Sequence, residues 1–211
     1  MHSYKQFCGV ALALDVLGER WTLLIVRDLM LGPRRYSDLH RSLAGITTNL
    51  LAARLKMMEA EGLVEKRSLE TGHGHVYALT REGRSLETLV LALGAFGSRY
   101  MTSPRPDDAM DPRWAMLSLK RRYRGSPSQG TVGLTVGTQP FCVTFGGPRI
   151  DVRDGHLNRP QASLSGDPGN WFQLLTGTTS LASLIDDGKL APGGSRRTLN
   201  AFCRAIGTRV R

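Results

Sequence analysis

Short polar side chains stand at the start of the run ITTNLLAARLKMMEAEG, residues 46–62. Hydroxyl and amide groups of this size can hydrogen-bond the edges of DNA bases, and cationic side chains further along can contact phosphates. The candidate base contacts are Thr47, Thr48, Asn49 and Ala53, and the candidate phosphate contacts are Arg54 and Lys56. A structural ion pair is the alternative for Arg54. These residue types in this order favour contact with the major groove of DNA.

An amphipathic helix would position these side chains. Leu51, Leu55 and Met58 recur at spacings of four and three, which places them on one face of a helix and turns the polar residues outward. Thr47 supplies an N-cap oxygen, and Gly62 supplies the left-handed residue that commonly ends a helix. Taken alone, the periodicity is more typical of an ordinary helix in a globular core, so the neighbouring segments decide between the two interpretations.

Those neighbouring segments predict a helix-turn-helix followed by a β-hairpin. Apolar periodicity and capping residues predict helices over residues 8–17, 21–31, 37–43 (capped by Ser37) and 80–100 (capped by Thr80). Two short strands, residues 63–68 and 76–79, flank a polar turn through Thr71, Gly72 and Gly74 and predict the hairpin. Such a hairpin would lie as a wing beside the DNA-contacting helix.

Further basic side chains flank the DNA-contacting helix. Arg34 and Arg35 precede the third helix, where they would clamp the DNA backbone or remain solvated on the surface. The hairpin carries four candidates for contact with the minor groove or flanking phosphates, namely Lys66, Arg67, His73 and His75. The two histidines lack carboxylate or thiol partners at ligand spacing, so a solvated turn explains them better than a metal site.

The run ALDVLGERWTLLIVRDLMLGPRRYSDLHRSLAGITTNLLAARLKMMEAEGLVEKR resembles the winged helix-turn-helix regulators of the HxlR family, relatives of the MarR regulators. The resemblance covers about residues 4–100. It implies a bacterial or archaeal transcription factor that binds double-stranded DNA as a two-fold dimer, with an inverted-repeat operator. Some relatives sense oxidants or electrophiles through an N-terminal cysteine, which makes Cys8 a candidate redox sensor, and a buried inert thiol is the alternative.

The predicted helix over residues 80–100 carries an apolar stripe that is wider than a lone surface helix needs. The stripe is formed by Leu86, Leu89, Val90, Leu93 and Phe96. Because such a face is costly to expose, we expect it to lie in a dimer interface together with the first helix.

Residues 103–112 (SPRPDDAMDP) are rich in Pro and Asp and predict a linker between two domains. The expected fold is mainly α with α+β: a winged helix-turn-helix domain over residues 1–102, and a smaller α+β domain over residues 113–211. In the second domain, the pattern predicts a helix over residues 114–123, an antiparallel sheet, and three helices that begin after Asp167, Ser180 and Ser195. The expected strands cover residues 131–136, 141–145 and 150–152.

The stretch GDPGNWFQLLTGTTSLASLIDDGKLAPGGSRRTLNAF resembles sterol-carrier-like domains, which hold apolar ligands between a sheet and helices. The resemblance implies a pocket for an apolar effector, whereas ordinary core packing is the alternative. The candidate pocket residues are Trp171, Phe172, Leu175, Leu181, Leu184, Ile185 and Phe202.

The charge of the chain favours a polyanionic partner. Its 28 Lys and Arg residues against 18 Asp and Glu residues give a net charge of +10, of which residues 1–104 carry +3 and residues 105–211 carry +7. The basic cluster Lys120, Arg121, Arg122 and Arg124 would extend a DNA contact, bind an anionic ligand or form a solvated helix face, which is the simplest of the three.

Several other classes of protein are disfavoured. No apolar run approaches the roughly 20 residues that span a bilayer, and the N-terminus lacks a signal-peptide pattern, so a cytosolic protein without membrane contact is expected. The three cysteines show no disulfide or zinc spacing. No catalytic or cofactor motif is present, so we expect no enzyme activity, metal or cofactor.

The sequence therefore predicts a dimeric, sequence-specific transcriptional repressor whose second domain accepts an apolar effector or supports the dimer. The alternative is a hydrophobic-ligand carrier that uses the winged helix as a protein-interaction module. The two hypotheses differ in salt dependence, since neutralising phosphates makes DNA affinity fall steeply with salt.

Overall fold

The computed structural model describes residues 3–69, 73–101, 105 and 107–208. The chain forms two compact units, Met1–Ala109 and Met110–Arg211. The predicted linker, residues 103–112, lies partly outside the described residues, and a helix begins at its last residue, Pro112. Of the helices in the described ranges, none has both the length and the apolar character that crossing a membrane requires.

The first unit combines helices with a small antiparallel sheet. Its helices are α1 (Gly9–Leu17), α2 (Thr22–Leu29), α3 (Tyr36–Ser42), α4 (Thr48–Ala60), α5 (Arg81–Ser85) and α6 (Glu87–Gly97), and a 3-10 turn follows at Ser98–Tyr100. Its strands are β1 (Arg34–Arg35), β2 (Val64–Ser68) and β3 (His75–Leu79), in the spatial order β1-β3-β2. The predicted helices and hairpin are present, and β1 has no counterpart in the prediction. The turn predicted at Thr71 and Gly72 lies outside the described residues.

The apolar faces of the helices meet in one core beneath the small sheet. Leu51, Leu55 and Met58 of α4 are buried, as their spacing predicts. They belong to one cluster with Ile25 of α2 and Leu39 of α3. Because α4 buries only this stripe, its opposite face is left in solvent.

Local capping fixes the ends of α4. The hydroxyl oxygen of Thr47 accepts a hydrogen bond from the Leu50 N–H at 3.3 Å, which confirms the predicted cap. Gly62 has a φ of +67°, a left-handed conformation that favours glycine. The cap predicted for α3 is wrong, because that helix begins at Tyr36 and places Ser37 inside its first turn.

The long helix predicted from residue 80 to residue 100 is interrupted. Thr80 does cap α5, since its hydroxyl oxygen accepts a hydrogen bond from the Gly83 N–H at 3.0 Å. The helix then breaks at Leu86, which serves as the boundary between α5 and α6. None of the residues of α6 is buried, although the helix is strongly apolar.

The second unit is a five-stranded sheet with helices packed against one face. Its helices are α7 (Pro112–Arg122), α8 (Pro168–Thr176), α9 (Leu181–Asp186) and α10 (Arg196–Ala205). Its strands are β4 (Ser126–Val136), β5 (Gln139–Gly147), β6 (Arg149–Asp154), β7 (Ala162–Gly166) and β8 (Leu190–Gly194), in the order β6-β5-β4-β7-β8. Alternate residues of the central strands, such as Val132, Leu134 and Val143, are buried against the helices.

The sheet is mixed rather than antiparallel, which corrects the sequence prediction. Strands β4 and β7 pair in parallel, with Val132 opposite Ala162, while the other three pairs are antiparallel. The prediction lacks β7 and β8 because their sequences, ASLSG and LAPGG, are made mostly of small residues with weak strand propensity. The proline of β8 is tolerated because β8 lies at the edge of the sheet.

For most of the predicted pocket residues, the structure favours the alternative of ordinary core packing. Five of the seven candidate residues are buried in the core, namely Trp171, Leu175, Leu181, Leu184 and Phe202. Phe172 is exposed and Ile185 is half-buried. Two concavities, of about 160 Å³ and about 490 Å³, are lined by strand residues such as Thr135 and Thr144 and by none of the seven candidates. The five buried side chains therefore pack as core residues, as the alternative interpretation expects, whereas Phe172 and Ile185 do not.

Candidate nucleic-acid interface

One face of α4 is exposed along most of the helix. Thr48, Asn49, Ala52, Ala53 and Lys56 are all exposed on this face, outside the buried apolar stripe. Polar groups stand at the N-terminal end, two methyl side chains follow, and a cation completes the face. A helix with this surface can enter a major groove closely, with its first residues at the base edges.

The start of α4 is held in place by α3. The Tyr36 hydroxyl donates a hydrogen bond to the backbone carbonyl of Thr48 at 2.6 Å, and the Tyr36 ring stacks on His40 with 6.4 Å between ring centroids. Thr47 is exposed, but its side chain is already engaged as the N-cap. We therefore place Thr48 and Asn49 ahead of Thr47 as base contacts.

Arg34 faces the protein interior rather than solvent. Its side chain is 10% exposed, and its guanidinium donates to Ser42 at 3.0 Å and lies 3.5 Å from a carboxylate oxygen of Asp28. Asp28 is fully buried and also accepts a hydrogen bond from Arg27 at 2.8 Å and one from the Ser42 hydroxyl. Arg34 thus joins β1 to α2 and α3, which corrects its assignment as a clamp on the DNA backbone.

Arg54 likewise has a structural partner. Its guanidinium donates to the Glu19 carboxylate at 2.9 Å, and its side chain is 12% exposed. Glu19 lies in the turn between α1 and α2, so the pair ties α4 to the preceding helices. The ion-pair alternative applies to Arg54, and Lys56 is left as the basic side chain of the exposed α4 face.

The wing presents its basic residues to solvent. Lys66, Arg67, His73 and His75 are all exposed, and Arg67 pairs with Glu65 on the same strand. Within the ranges that the structure describes, no three His, Cys, Asp or Glu side chains are close enough together to hold a metal ion. The wing histidines are thus exposed side chains and stay candidates for a contact with DNA.

Arg35 belongs with the wing, unlike its neighbour Arg34. It is exposed and pairs with Val76 across the sheet, and its guanidinium lies close to Gly74 at the end of the wing turn. This position beside the wing puts its charge on the same side of the unit as that hairpin. Arg35 therefore stays a candidate phosphate contact.

Ala52 is the member of the exposed face that sequence reasoning missed. It follows Thr48 by four residues, so it lies directly above Thr48 on the same helix face. The spacing places Ala52 outside the buried stripe just as it does Ala53, so the same signal could have included it. Its small size matters because a bulky residue there would hold the helix away from base edges.

The candidate sensor Cys8 is exposed at the N-cap of α1. The backbone N–H groups of Ala11 and then Val10 lower the pKa of the Cys8 thiol. Burial has the opposite effect on the other two cysteines: it raises the pKa of Cys142, and it raises the pKa of Cys203 to about 12. Cys8 is thus the most readily ionised of the three thiols.

The helix-turn-helix of α3 and α4, followed by the β2–β3 hairpin, defines a winged helix-turn-helix protein. Residues 16–105 match the HxlR-like helix-turn-helix family. The HTH-type transcriptional regulator YodB of Bacillus subtilis is 34% identical over 89 residues, which are 42% of this chain and 80% of YodB. The chain therefore belongs to the HxlR-like helix-turn-helix family.

Other similar proteins match a comparable share of the chain. The uncharacterized HTH-type transcriptional regulator Mb3122 of Mycobacterium bovis is 39% identical over 100 residues, which are 47% of this chain and 61% of that protein. The solved structure of the reduced form of B. subtilis YodB is 28% identical, covers 47% of this chain and 100% of that chain, and has a TM-score of 0.40. Because the family match ends at residue 105, the sterol-carrier-like nature of the second unit stays a prediction.

Proposed function

We propose that the protein is a sequence-specific DNA-binding repressor of transcription that binds an inverted-repeat operator as a two-fold dimer. The observation that carries this proposal is the exposed face of α4, where Thr48 and Asn49 stand before two alanines and Lys56. These polar groups suit base edges, and the small side chains allow the helix to approach them. Arg35 and the exposed wing cations supply contacts to the adjacent backbone.

The dimer is supported by the exposed apolar surface of α1 and α6. Leu89, Leu93 and Phe96 of α6 are between 41% and 56% exposed, and Val10 and Leu12 of α1 are 69% and 50% exposed. A soluble protein rarely leaves so many apolar side chains of two helices uncovered. A two-fold partner would cover them with the same surface of a second copy, and a two-fold protein matches an inverted repeat in DNA.

Thiol sensing at Cys8 is a second candidate function. It is favoured by the exposure of Cys8 and by the N–H groups at the start of α1 that lower its pKa. An apolar effector is not part of the proposal, because most of the candidate pocket residues are packed as core.

A binding experiment with the DNA upstream of the protein's own gene tests the proposal. The protein should protect an inverted repeat in a footprint and prefer that duplex over a random-sequence duplex. Asn49→Ala should reduce this preference, whereas Arg41→Ala, which changes an exposed residue of α3, serves as a folding control. If the wild-type protein binds both duplexes equally at all salt concentrations, the proposed sequence-specific function is wrong.

A further inference from the structure

The positive charge of the protein lies mainly in the second unit. Residues 1–109 carry 14 basic and 12 acidic side chains, a net charge of +2, whereas residues 110–211 carry 14 basic and 6 acidic side chains, a net charge of +8. In the first unit, Arg34, Arg54 and Arg67 are each paired with an acidic residue. Since neutralisation of phosphates supplies much of DNA affinity, the first unit alone offers few cations for it.

Two segments of the second unit bring arginines together where α7 and α10 end. The backbone N–H of Arg124 donates a hydrogen bond to the carbonyl of Ala205, the last residue of α10, at 2.8 Å. Arg124 and Arg204, which directly precedes Ala205, are both exposed. Among the described residues, no carboxylate forms an ion pair with either of them.

We call the exposed pair Arg124 and Arg204 the corner. The neighbouring Arg122 holds the chain segments of the corner in place. Its guanidinium donates to the carbonyls of Ile206 and Gly207, each at 3.2 Å, and to the carbonyl of Leu175. Burial lowers the pKa of Arg122, and the charges of Arg121 and Arg124 lower it further. Arg121 and Arg124 are therefore close enough to Arg122 for their charges to repel it, and a bound polyanion would offset that repulsion.

We propose that Arg124 and Arg204 form a second, sequence-independent DNA contact that binds backbone phosphates while α4 contacts bases. The inference rests on the proposed function in taking DNA as the polyanion. Guanidinium groups match phosphate oxygens with two parallel hydrogen bonds, which suits this partner. A membrane surface fits less well, because amphipathic membrane binding adds apolar insertion and the exposed large apolar residues of this unit, Met110 and Phe172, lie in neither segment.

The test measures how the binding of the 211-residue chain to a random-sequence duplex depends on salt. The variant Arg124→Gln/Arg204→Gln removes the corner, and Arg196→Gln/Arg197→Gln removes the same charge from two exposed arginines at the other end of α10, about 12 Å away along the helix. Arg122 is left intact because its hydrogen bonds join α7 to α8, at Leu175, and to the residues that follow α10.

Log affinity falls as log salt rises, and the loss of two phosphate contacts makes this slope shallower by about 1.8. The affinity gained when salt falls from about 200 mM to about 50 mM should then be about twelvefold smaller in the corner variant and unchanged in the control variant. An unchanged slope in the corner variant would overturn the inference, and so would equal losses in both variants, which indicate a general effect of net charge.

Two further measurements separate the possible failures. The wild-type protein could bind phosphatidylserine vesicles and the corner variant could lose that binding while its DNA slope stays unchanged. This result would show that the corner binds membranes and would overturn the inference. If the wild-type protein prefers the upstream DNA but the corner variant has an unchanged salt slope, this inference is wrong and the proposed function is not contradicted. Absence of any DNA binding by the wild-type protein would contradict both it and the proposed function.

Discussion

Replacing Arg34 with Ala tests whether two adjacent arginines have separate roles. The Asp28 carboxylate is fully buried and is held by Arg27, Arg34 and Ser42. Removing one partner of a buried ion pair costs about 3–5 kcal/mol when the other charge is left alone. Because Arg27 and Ser42 remain, we expect Arg34→Ala to lower the free energy of unfolding of the first unit by about 2 kcal/mol.

Arg35→Ala is the matched control. Arg35 is exposed, so its loss should change stability by less than about 0.5 kcal/mol. Its loss should instead lower the salt slope of DNA binding by about one, since it removes one phosphate contact. Arg34→Ala should leave that slope unchanged.

Hydrogen exchange read by mass spectrometry can measure the first effect locally. A loss of about 2 kcal/mol corresponds to an approximately thirtyfold loss of protection in peptides from α2 and α3. Peptides from the second unit provide an internal reference. If Arg34→Ala keeps full protection from hydrogen exchange in α2 and α3 and also lowers the salt slope, the structural role of Arg34 is refuted. Arg34 would then be a contact to the DNA backbone.

Three further predictions concern the exposed face of α4, the apolar face of α6 and the cysteines. Asn49→Ala should reduce the preference for the operator over random DNA by about 1–3 kcal/mol in competition binding, and an unchanged preference would exclude this face from base contact. Leu93→Glu should yield monomers at about micromolar concentration in sedimentation, whereas Thr88→Glu, an exposed control on the same helix, should stay dimeric; a wild-type monomer would contradict the interface. Cys8 should react with iodoacetamide at lower pH than a free thiol, because its lowered pKa yields thiolate earlier as pH rises, whereas Cys203, with its pKa raised to about 12, should stay unmodified until unfolding; equal rates by mass spectrometry would refute this order.

The buried and exposed sides of α4 could be predicted from the sequence, because the spacing of residues along a helix fixes the direction in which each side chain points. The positions of Leu51, Leu55 and Met58 fix the buried side, and Asn49 and Lys56 then fall opposite it. Arg54 could have been separated from Lys56 in the same way, since it lies about 60° from Leu51 around the helix and therefore at the margin of the buried stripe. What the spacing could not supply was its partner, Glu19, which lies 35 residues earlier.

The sequence could not show that Arg34 faces the interior while Arg35 faces solvent. Successive residues of a strand point to opposite faces, so a strand at this place requires one arginine to face inward. A strand of two residues leaves no periodic pattern, however, and β1 exists only because β3 lies beside it. The inward arginine then depends on Asp28, whose burial is a property of the packed helices.

In the second unit, local signals gave the helices and the aromatic and β-branched strands but failed for the small-residue strands. Ser180 and Ser195 cap α9 and α10 as predicted, through hydrogen bonds from the N–H groups of Ser183 and Thr198. Strand β7 is fixed by its parallel partner β4, a long-range pairing that composition does not encode. The apolar helix residues were visible in the sequence, but whether they enclose a cavity or fill it is decided by packing.

The distribution of charge connects the fold to the proposed mechanism. A DNA-contacting surface needs cations, but it also needs helices held at fixed angles, and in the first unit Arg34 and Arg54 serve the second purpose. Each anchors a segment next to α4 through a carboxylate, so each adds no net charge to the exposed face. The unit carries a net charge of only +2, so in the proposed mechanism its affinity for DNA depends on a few groups such as Lys56 and Arg35. A nearly neutral surface gains little from nonspecific phosphate attraction, so base contacts carry a larger share of its binding, and the second unit, at +8, can supply the sequence-independent share.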